Sequence, residues 1–470
     1  MNAAARNRFK RGPRLVARRA EPADILLSRA FVVDPRAGIA APHDVLVRGG
    51  AIAALLSPNG GEAPPGVEVV DAEGLHVFPG FFDPHVHLRT PGREDEEDLD
   101  SGTRAAAAGG YCGVLAMPNT DPVVDNASVL RSLHERAAWE ARVPVGFLAA
   151  ATRGQEGREL TEMAELAEEG APGFSDDGVP VAAASLVRQA LQYQRLCGRV
   201  LALHEEDREL SGNGAMHEGG VSTLLGLAAI PSISESTMIS RDAAIARYEG
   251  GRIHVLHLSA AESVAAVEEA KGAGIAITAE VTPHHLTLTD EAVRSLDSRF
   301  KMNPPLRAER DRLALIEGMR SGAIDCIATD HAPHAREEKE APFEEAPMGV
   351  TGLETAFAAL YTDLVLPGVL PLELVVERMS GGAALYALDV PTLAPGAPAN
   401  LCLVDLGAFW TVGEAGYESR SDNSCFAGRS LRGKVLMTLA AGAVAYRERS
   451  FAIRLAGPDA SRGTLATEVG

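Results

Sequence analysis

Thiols are scarce in this 470-residue chain: there are five cysteines, odd in number, far apart and never spaced as Cys-x-x-Cys. That excludes a disulfide framework and a thiolate zinc ribbon. It fits a reducing, cytoplasmic setting in which each thiol packs as a small hydrophobe. Basic charge is also in short supply, with 44 Lys and Arg against 64 Asp and Glu, for a formal net charge of −20. Such a balance excludes sequence-independent nucleic-acid binding, which needs Lys and Arg clustered along phosphates. It also disfavours docking on an anionic membrane. No apolar run reaches the roughly 18 residues that cross a bilayer. The N-terminus, MNAAARNRFKRGPRLVARRAEP, has no acid before Glu21 and lacks the apolar core of a secretory signal. Residues 1–22 are therefore expected to form a disordered basic extension.

What the chain does contain is apolar matter, 46% of it, enough for a large buried core, so a disordered or fibrous chain is excluded. From Ala23 to about residue 74, short β-rich runs such as ADILLSRAFVVD and HDVLVRGGAIAAL alternate with Gly and Pro punctuation. From about Leu75 the texture changes to buried strands alternating with amphipathic helical stretches. Eight apolar runs follow one another: LHVFPGFFDPHVHL, YCGVLAMPN, VPVGFLAAAT, GFSDD, RVLALHEE, RIHVLHLS, GIAITAEVTPHH and AIDCIATDHAPH. Continuous apolar strands separated by helices predict a parallel sheet covered on both faces, and eight units predict a closed (β/α)8 barrel over residues 75–381. The β-rich texture returns afterwards. Residues 23–74 and 382–455 are expected to build one small β-sandwich domain from both ends of the chain, with a frayed tail over 456–470.

In such a barrel, chemistry gathers where the strands end. The unusual polar residues fall there. The first run finishes at His85 and His87, followed by Arg89, and an HxH pair on a strand puts both imidazoles on one face, close enough to share a metal ion. Asn119 ends the second run, Asp176 and Asp177 the fourth, His204 the fifth and His257 the sixth. Run seven leads on to Asn303, and run eight ends at Asp330 with His334 just beyond. Taken singly, each residue reads as a core imidazole or a turn cap. Four histidines and several carboxylates at one mouth do not read that way. Imidazole and carboxylate without thiolate suit zinc or another borderline divalent ion in an open, catalytic site. His43, His76, His134, His217 and His254 fail the strand-end test and are expected to be structural, as are His284 and His285 unless they back the site.

In order along the chain, DPHVHLR, GTRAAAAGG, MPNT, FSDDG, LHEED, HVLHLS, KMNPPLR, TDHAPH and APMGVTGLET resemble the amidohydrolase superfamily, and within it the bacterial dihydroorotases of the long type. The resemblance runs from about Ala23 to about Arg447. It implies reversible hydrolysis of the ring amide of dihydroorotate to carbamoyl aspartate, with one or two zinc ions per chain. It further implies that His85 and His87 bind a first metal, that His204 and His257 bind a second, and that Asp177 bridges them. Asp330 would shuttle the proton and touch the metal. Arg89, Asn119 and His334 would hold the substrate carboxylate and Asn303 the ring. A homodimer, and a complex with aspartate carbamoyltransferase, are the implied assemblies.

Two rivals remain open. A hydantoinase or allantoinase would share GTRAAAAGG, but its bridging lysine has no counterpart near FSDDG. A non-catalytic partner chain would be expected to have lost metal ligands. One departure from the resemblance is Glu96, where relatives commonly carry Lys. The charged stretch from Ala335 to Gly352 is a candidate lid.

Overall fold

The computed structural model of the chain describes residues 12–58 and 64–451. Five strands come first: β1 (Ile25–Asp34), β2 (Ile39–Arg48), β3 (Ala51–Leu56), β4 (Glu68–Asp71) and β5 (His76–Pro79). Gly49 and Gly50, both with positive φ, make the tight turn that lets β2 and β3 pair antiparallel.

The central part alternates strand and helix. β6 (Phe81–Val86), β7 (Tyr111–Ala116) and β8 (Val145–Phe147) pair in parallel. β9 (Gly173–Ser175) and β10 (Val200–Leu203) begin a second parallel set. Two short strands, β11 (Met216–His217) and β12 (Ala229–Ile230), pair with each other. The second set then continues with β13 (Ile253–Val255), β14 (Ile277–Val281) and β15 (Cys326–Ile327), in the order β15-β14-β13-β10-β9. Isolated parallel bridges, Ala149 to Phe174 and Val86 to His331, join the two sets at both margins. Every residue of β6 and β7 is buried, as expected where helices cover the outer face of a parallel sheet. Helices such as Leu99–Ala108, Ala184–Cys197 and Ile233–Glu249 supply that cover.

At the C-terminal end, β16 (Leu401–Thr411), β17 (Ser430–Ala440) and β18 (Ala443–Arg447) join the first five strands in one eight-stranded sheet. β16 lies antiparallel to β5, pairing Leu403 with Val77. Leu27, Val45, Ile52, Val77, Leu401 and Leu439 form its core.

Residues 12–22 depart from the expected disorder. Val16 exchanges hydrogen bonds with Val145, Arg14 N–H donates to the Gly170 carbonyl and Arg18 N–H to the Ala141 carbonyl. β8 and β9 bridge only at Ala149 and Phe174, so the backbone groups at Val145 need another partner, and the N-terminal arm provides it. The rest of the expected extension, residues 1–11, and the expected tail, residues 456–470, lie outside the described residues. Among the described residues no helix is long and apolar enough to cross a membrane, and all five cysteines are free and buried.

Candidate metal centre

The strand ends converge. His85 is the penultimate residue of β6, and His87 follows two residues on with its ring centroid 5.4 Å away, the same-face placement that a strand dictates. Asp177 lies just past β9, His204 past β10, His257 past β13 and Asp330 past β15. Asp177 Oδ2 is 3.5 Å from His85 Nε2 and 3.3 Å from His87 Nε2, while Asp177 Oδ1 is 3.4 Å from His257 Nε2 and 3.7 Å from His204 Nδ1. One carboxylate thus faces all four imidazoles. Asp330 Oδ1 lies 3.4 Å from His85 Nε2 and 3.1 Å from His87 Nε2. Two triads, His85–Asp177–His257 and His85–His87–Asp330, each have ligand atoms within 4.8 Å of one another.

These donors suit a cation. Among the described residues, His85 Nε2 and Asp177 Oδ1 are buried without a hydrogen-bond partner, and buried polar atoms are ordinarily paired. The nitrogen and oxygen donors match a borderline divalent ion. Burial alone would raise the Asp177 and Asp330 carboxyls, but the surrounding imidazoles hold both well below the usual carboxylate range. Against burial, Asp177 and Glu206 push His204 up to about 9. Backbone strain collects here as well. Arg89 (φ 53°), His257 (φ 31°) and Asp330 (φ 49°) are non-glycine residues in the left-handed region, at a cost of about 1–3 kcal/mol each.

An outer layer fixes the imidazoles. Glu280 Oε1 is 2.6 Å from His85 Nδ1 and its Oε2 is 3.0 Å from His254 Nε2. Asn119 Oδ1 is 2.9 Å from His87 Nδ1, so it meets a histidine as well as the cavity. Glu206 Oε2 lies 3.1 Å from His204 Nε2 and accepts from Asn303 Nδ2 at 3.0 Å. Glu280 and Glu206 went unnoticed in the sequence. Glu280 sits inside an apolar run, and such a carboxylate needs a buried partner; Glu206 was concealed among the acids of LHEED. His254 takes no place in the cluster but backs Glu280. His285 contacts the Thr282 hydroxyl and the Pro304 carbonyl, while His284 Nε2 is buried without a partner.

Above the centre lies a cavity of about 340 Å³. His87, Arg89, Asn119, Asp177, His204, His257, Asn303, Asp330 and His334 all line it, and His85 is wholly buried outside that lining. Met348 and Gly349, from the expected lid, complete the wall with Arg208 and Gly178. Gly349 (φ +141°) is required, because a Cβ there would stand 2.8 Å from His334 Nε2. The segment is pinned: Lys339 Nζ donates to the Pro347 and Gly349 carbonyls. A larger groove of about 810 Å³, beside Arg104, Trp410 and Tyr446, contains none of these residues.

A family model described as dihydro-orotase-like matches residues 74–263. The L-hydantoinase (dihydropyrimidinase) of Arthrobacter aurescens superposes with a TM-score of 0.80 over 90% of this chain and 96% of its own, at 24% identity, a likeness that shows the fold. The family model and the His/Asp cluster together point to the class, a cyclic amidohydrolase. The dihydroorotase of Pelotomaculum thermopropionicum is 46% identical over 426 residues, 90% of this chain and 99% of the relative. That of Syntrophus aciditrophicus is 42% identical over 426 residues, with the same coverage of both chains. The chain belongs to the dihydroorotase family.

Proposed function

We propose that the chain interconverts (S)-dihydroorotate and N-carbamoyl-L-aspartate in the cytoplasm, as a step of pyrimidine biosynthesis, with one or two zinc ions held by His85, His87, Asp177, His204, His257 and Asp330. The observation that carries this reading is that these donors, distant along the chain, converge beneath a cavity whose rim holds Arg89 and His334. The same reading takes residues 75–381 as a (β/α)8 barrel, supported by the two marginal bridges that link the parallel sets end to end. It takes residues 23–74 and 382–455 as a β-sandwich domain, supported by the pairing of β5 with β16.

A ring amide resists water because water is a poor nucleophile and nitrogen a poor leaving group. Held by these residues, a divalent ion would supply a Lewis acid that brings the pKa of its water down to about 7 and polarises the carbonyl. The side chains do the rest. Asp330, ionised among the imidazoles, takes the proton of the attacking water as its oxygen bonds to the ring carbonyl carbon. It delivers that proton to the ring nitrogen as the C–N bond breaks. Arg89 offers a guanidinium fork that grips a carboxylate better than Lys would. His334 and Asn119 flank it, and Asn303, held by Glu206, meets the ring. On a chain with net charge −20, this local cation is what an anionic substrate needs. Self-association as a dimer and association with aspartate carbamoyltransferase belong to the same reading, and sedimentation with and without that enzyme tests both.

The decisive experiment is to assay purified protein on dihydroorotate, hydantoin and allantoin while measuring bound metal. Turnover of dihydroorotate by metal-loaded protein is expected. Hydrolysis of hydantoin without dihydroorotate would make the chain a hydantoinase, and no turnover of any ring would make it a non-catalytic partner.

A further inference from the structure

Glu96 lies in the loop after the HxH pair and is 2% exposed. The loop folds back on itself, Arg93 N–H donating to the Arg89 carbonyl and Glu96 N–H to the Arg93 carbonyl. The Ser421 hydroxyl donates to the Glu96 carbonyl and fixes its backbone from the C-terminal part of the chain. The carboxylate then meets three nitrogen-bearing groups, with Glu338 beside it, the Glu338 Oε2 lying 3.5 Å from the same His334 Nδ1. Glu96 Oε2 is 2.9 Å from Arg89 Nε, and Glu96 Oε1 is 3.2 Å from His334 Nδ1 and 2.9 Å from Arg93 Nη2. Arg89 and His334 reach this point from segments far apart in sequence, Arg89 Nη2 lying 3.4 Å from His334 Nε2, and Glu96 bonds both.

A buried carboxylate next to an anion-binding arginine invites two opposite expectations. If its charge dominates, it repels the substrate, and removing it should tighten binding. If its geometry dominates, it aims the arginine, and removing it should weaken binding. Two observations favour geometry. Arg89 and His334 line the cavity, whereas Glu96 does not, so its charge stands behind the pair. It holds Arg89 by Nε, with the Pro333 carbonyl 3.0 Å from the same atom, and the terminal nitrogens make up the other edge of the fork, Nη2 lying 3.4 Å from His334 Nε2. Without Glu96 the long arginine side chain regains rotamer freedom, which binding must then remove.

We propose that Glu96 is a positioning residue that locks Arg89 and His334 into one carboxylate-binding edge, so that it governs capture of the substrate rather than its hydrolysis. This rests on the dihydroorotase reading above. The test is steady-state kinetics on dihydroorotate with metal-loaded wild type, Glu96→Gln, Glu96→Asp, Arg89→Lys and the Glu96→Gln/Arg89→Lys double variant. Glu96→Gln should raise KM about tenfold, the scale of one charge-assisted hydrogen bond, with kcat within about twofold. Glu96→Asp, which keeps the charge on a shorter arm, should recover part of the loss. In the Arg89→Lys background the Glu96→Gln effect should shrink to under about twofold, because groups in one network do not add.

An unchanged or lowered KM, or a fall in kcat alone, would overturn the inference and leave the proposed function standing. A wild type inactive on dihydroorotate would overturn the proposed function, and the inference with it. Should Glu96→Gln fail to fold, as judged by melting and metal content, Glu96→Asp decides: a raised KM supports the inference and an unchanged one overturns it.

Discussion

Oε1 of Glu280 lies 2.6 Å from Nδ1 of His85, with both side chains wholly buried. Burial opposes a charge on Glu280, yet His85 and His254 bring its carboxyl down to about 2. The contact fixes the orientation of His85, whose Nε2 faces the centre. Glu280→Gln should therefore weaken metal retention by about 10–100-fold, the usual effect of losing such an outer partner. Titration of the metal-free variant with zinc checks this, and an unchanged affinity would remove the orienting role.

Adjacent aspartates should behave differently. Asp176 accepts from the backbone N–H groups of Ala151 and Thr152 at 2.8 and 3.0 Å and from the Thr152 hydroxyl, so it ties the end of β8 to the end of β9. Asp177 faces the histidines. Asp176→Asn should cost about 1–3 kcal/mol of stability with bound metal retained, whereas Asp177→Asn should lose metal. Elemental analysis and denaturant melts on both variants decide, and a reversed outcome would transfer the bridging role to Asp176.

Asp330→Asn keeps the shape of the side chain and removes its capacity to take a proton. We expect kcat on dihydroorotate to fall about 10²–10⁴-fold. Metal content is measured on the same sample, so a rate loss through an emptied site is distinguished from loss of proton transfer. An unimpaired rate would end the shuttle assignment.

His134 carries a prediction away from the centre. It is buried, both ring nitrogens lack partners among the described residues, and burial with the nearby Arg14 charge lowers it from 6.5 to about 4. The folded chain keeps this ring neutral while the unfolded chain protonates it below about pH 6.5. Its contribution to stability is therefore full above that pH and is lost as pH falls towards 4. The ceiling is about 3 kcal/mol, at about 1.36 kcal/mol per pKa unit. In His134→Phe the melting temperature of metal-free protein should fall less between pH 7 and pH 4.5 than in wild type. Equal slopes would show that His134 is not a source of acid sensitivity.

Much of the centre was legible because strand periodicity and strand ends leave marks in sequence. His85 and His87 sit two apart in an apolar run, and Asp177, His204, His257 and Asp330 each follow one. The outer layer was harder to see. Glu280 and His254 contact each other across neighbouring strands, and the partner of a buried carboxylate is a matter of strand register. Glu96 stood out only as a departure from a resemblance. Its bonds to Arg89 and His334 depend on a loop and on a segment more than two hundred residues away. Residues 12–22 are ordered for a similar reason. Their composition is that of a solvated basic arm, but Val16 pairs with a strand whose unpaired backbone is a property of the assembled sheet.

By itself the sequence determined the alternation of strand and helix, the burial of the strands and the kinds of donor at their ends. These are local consequences of side-chain period and polarity. Only the tertiary structure decided which carboxylate faces the four imidazoles, which acids hold them from behind, and which loop residue braces the arginine at the rim. Those choices are set by distances of about 3 Å between groups far apart in the chain, and such distances exist only once the backbone has closed around them.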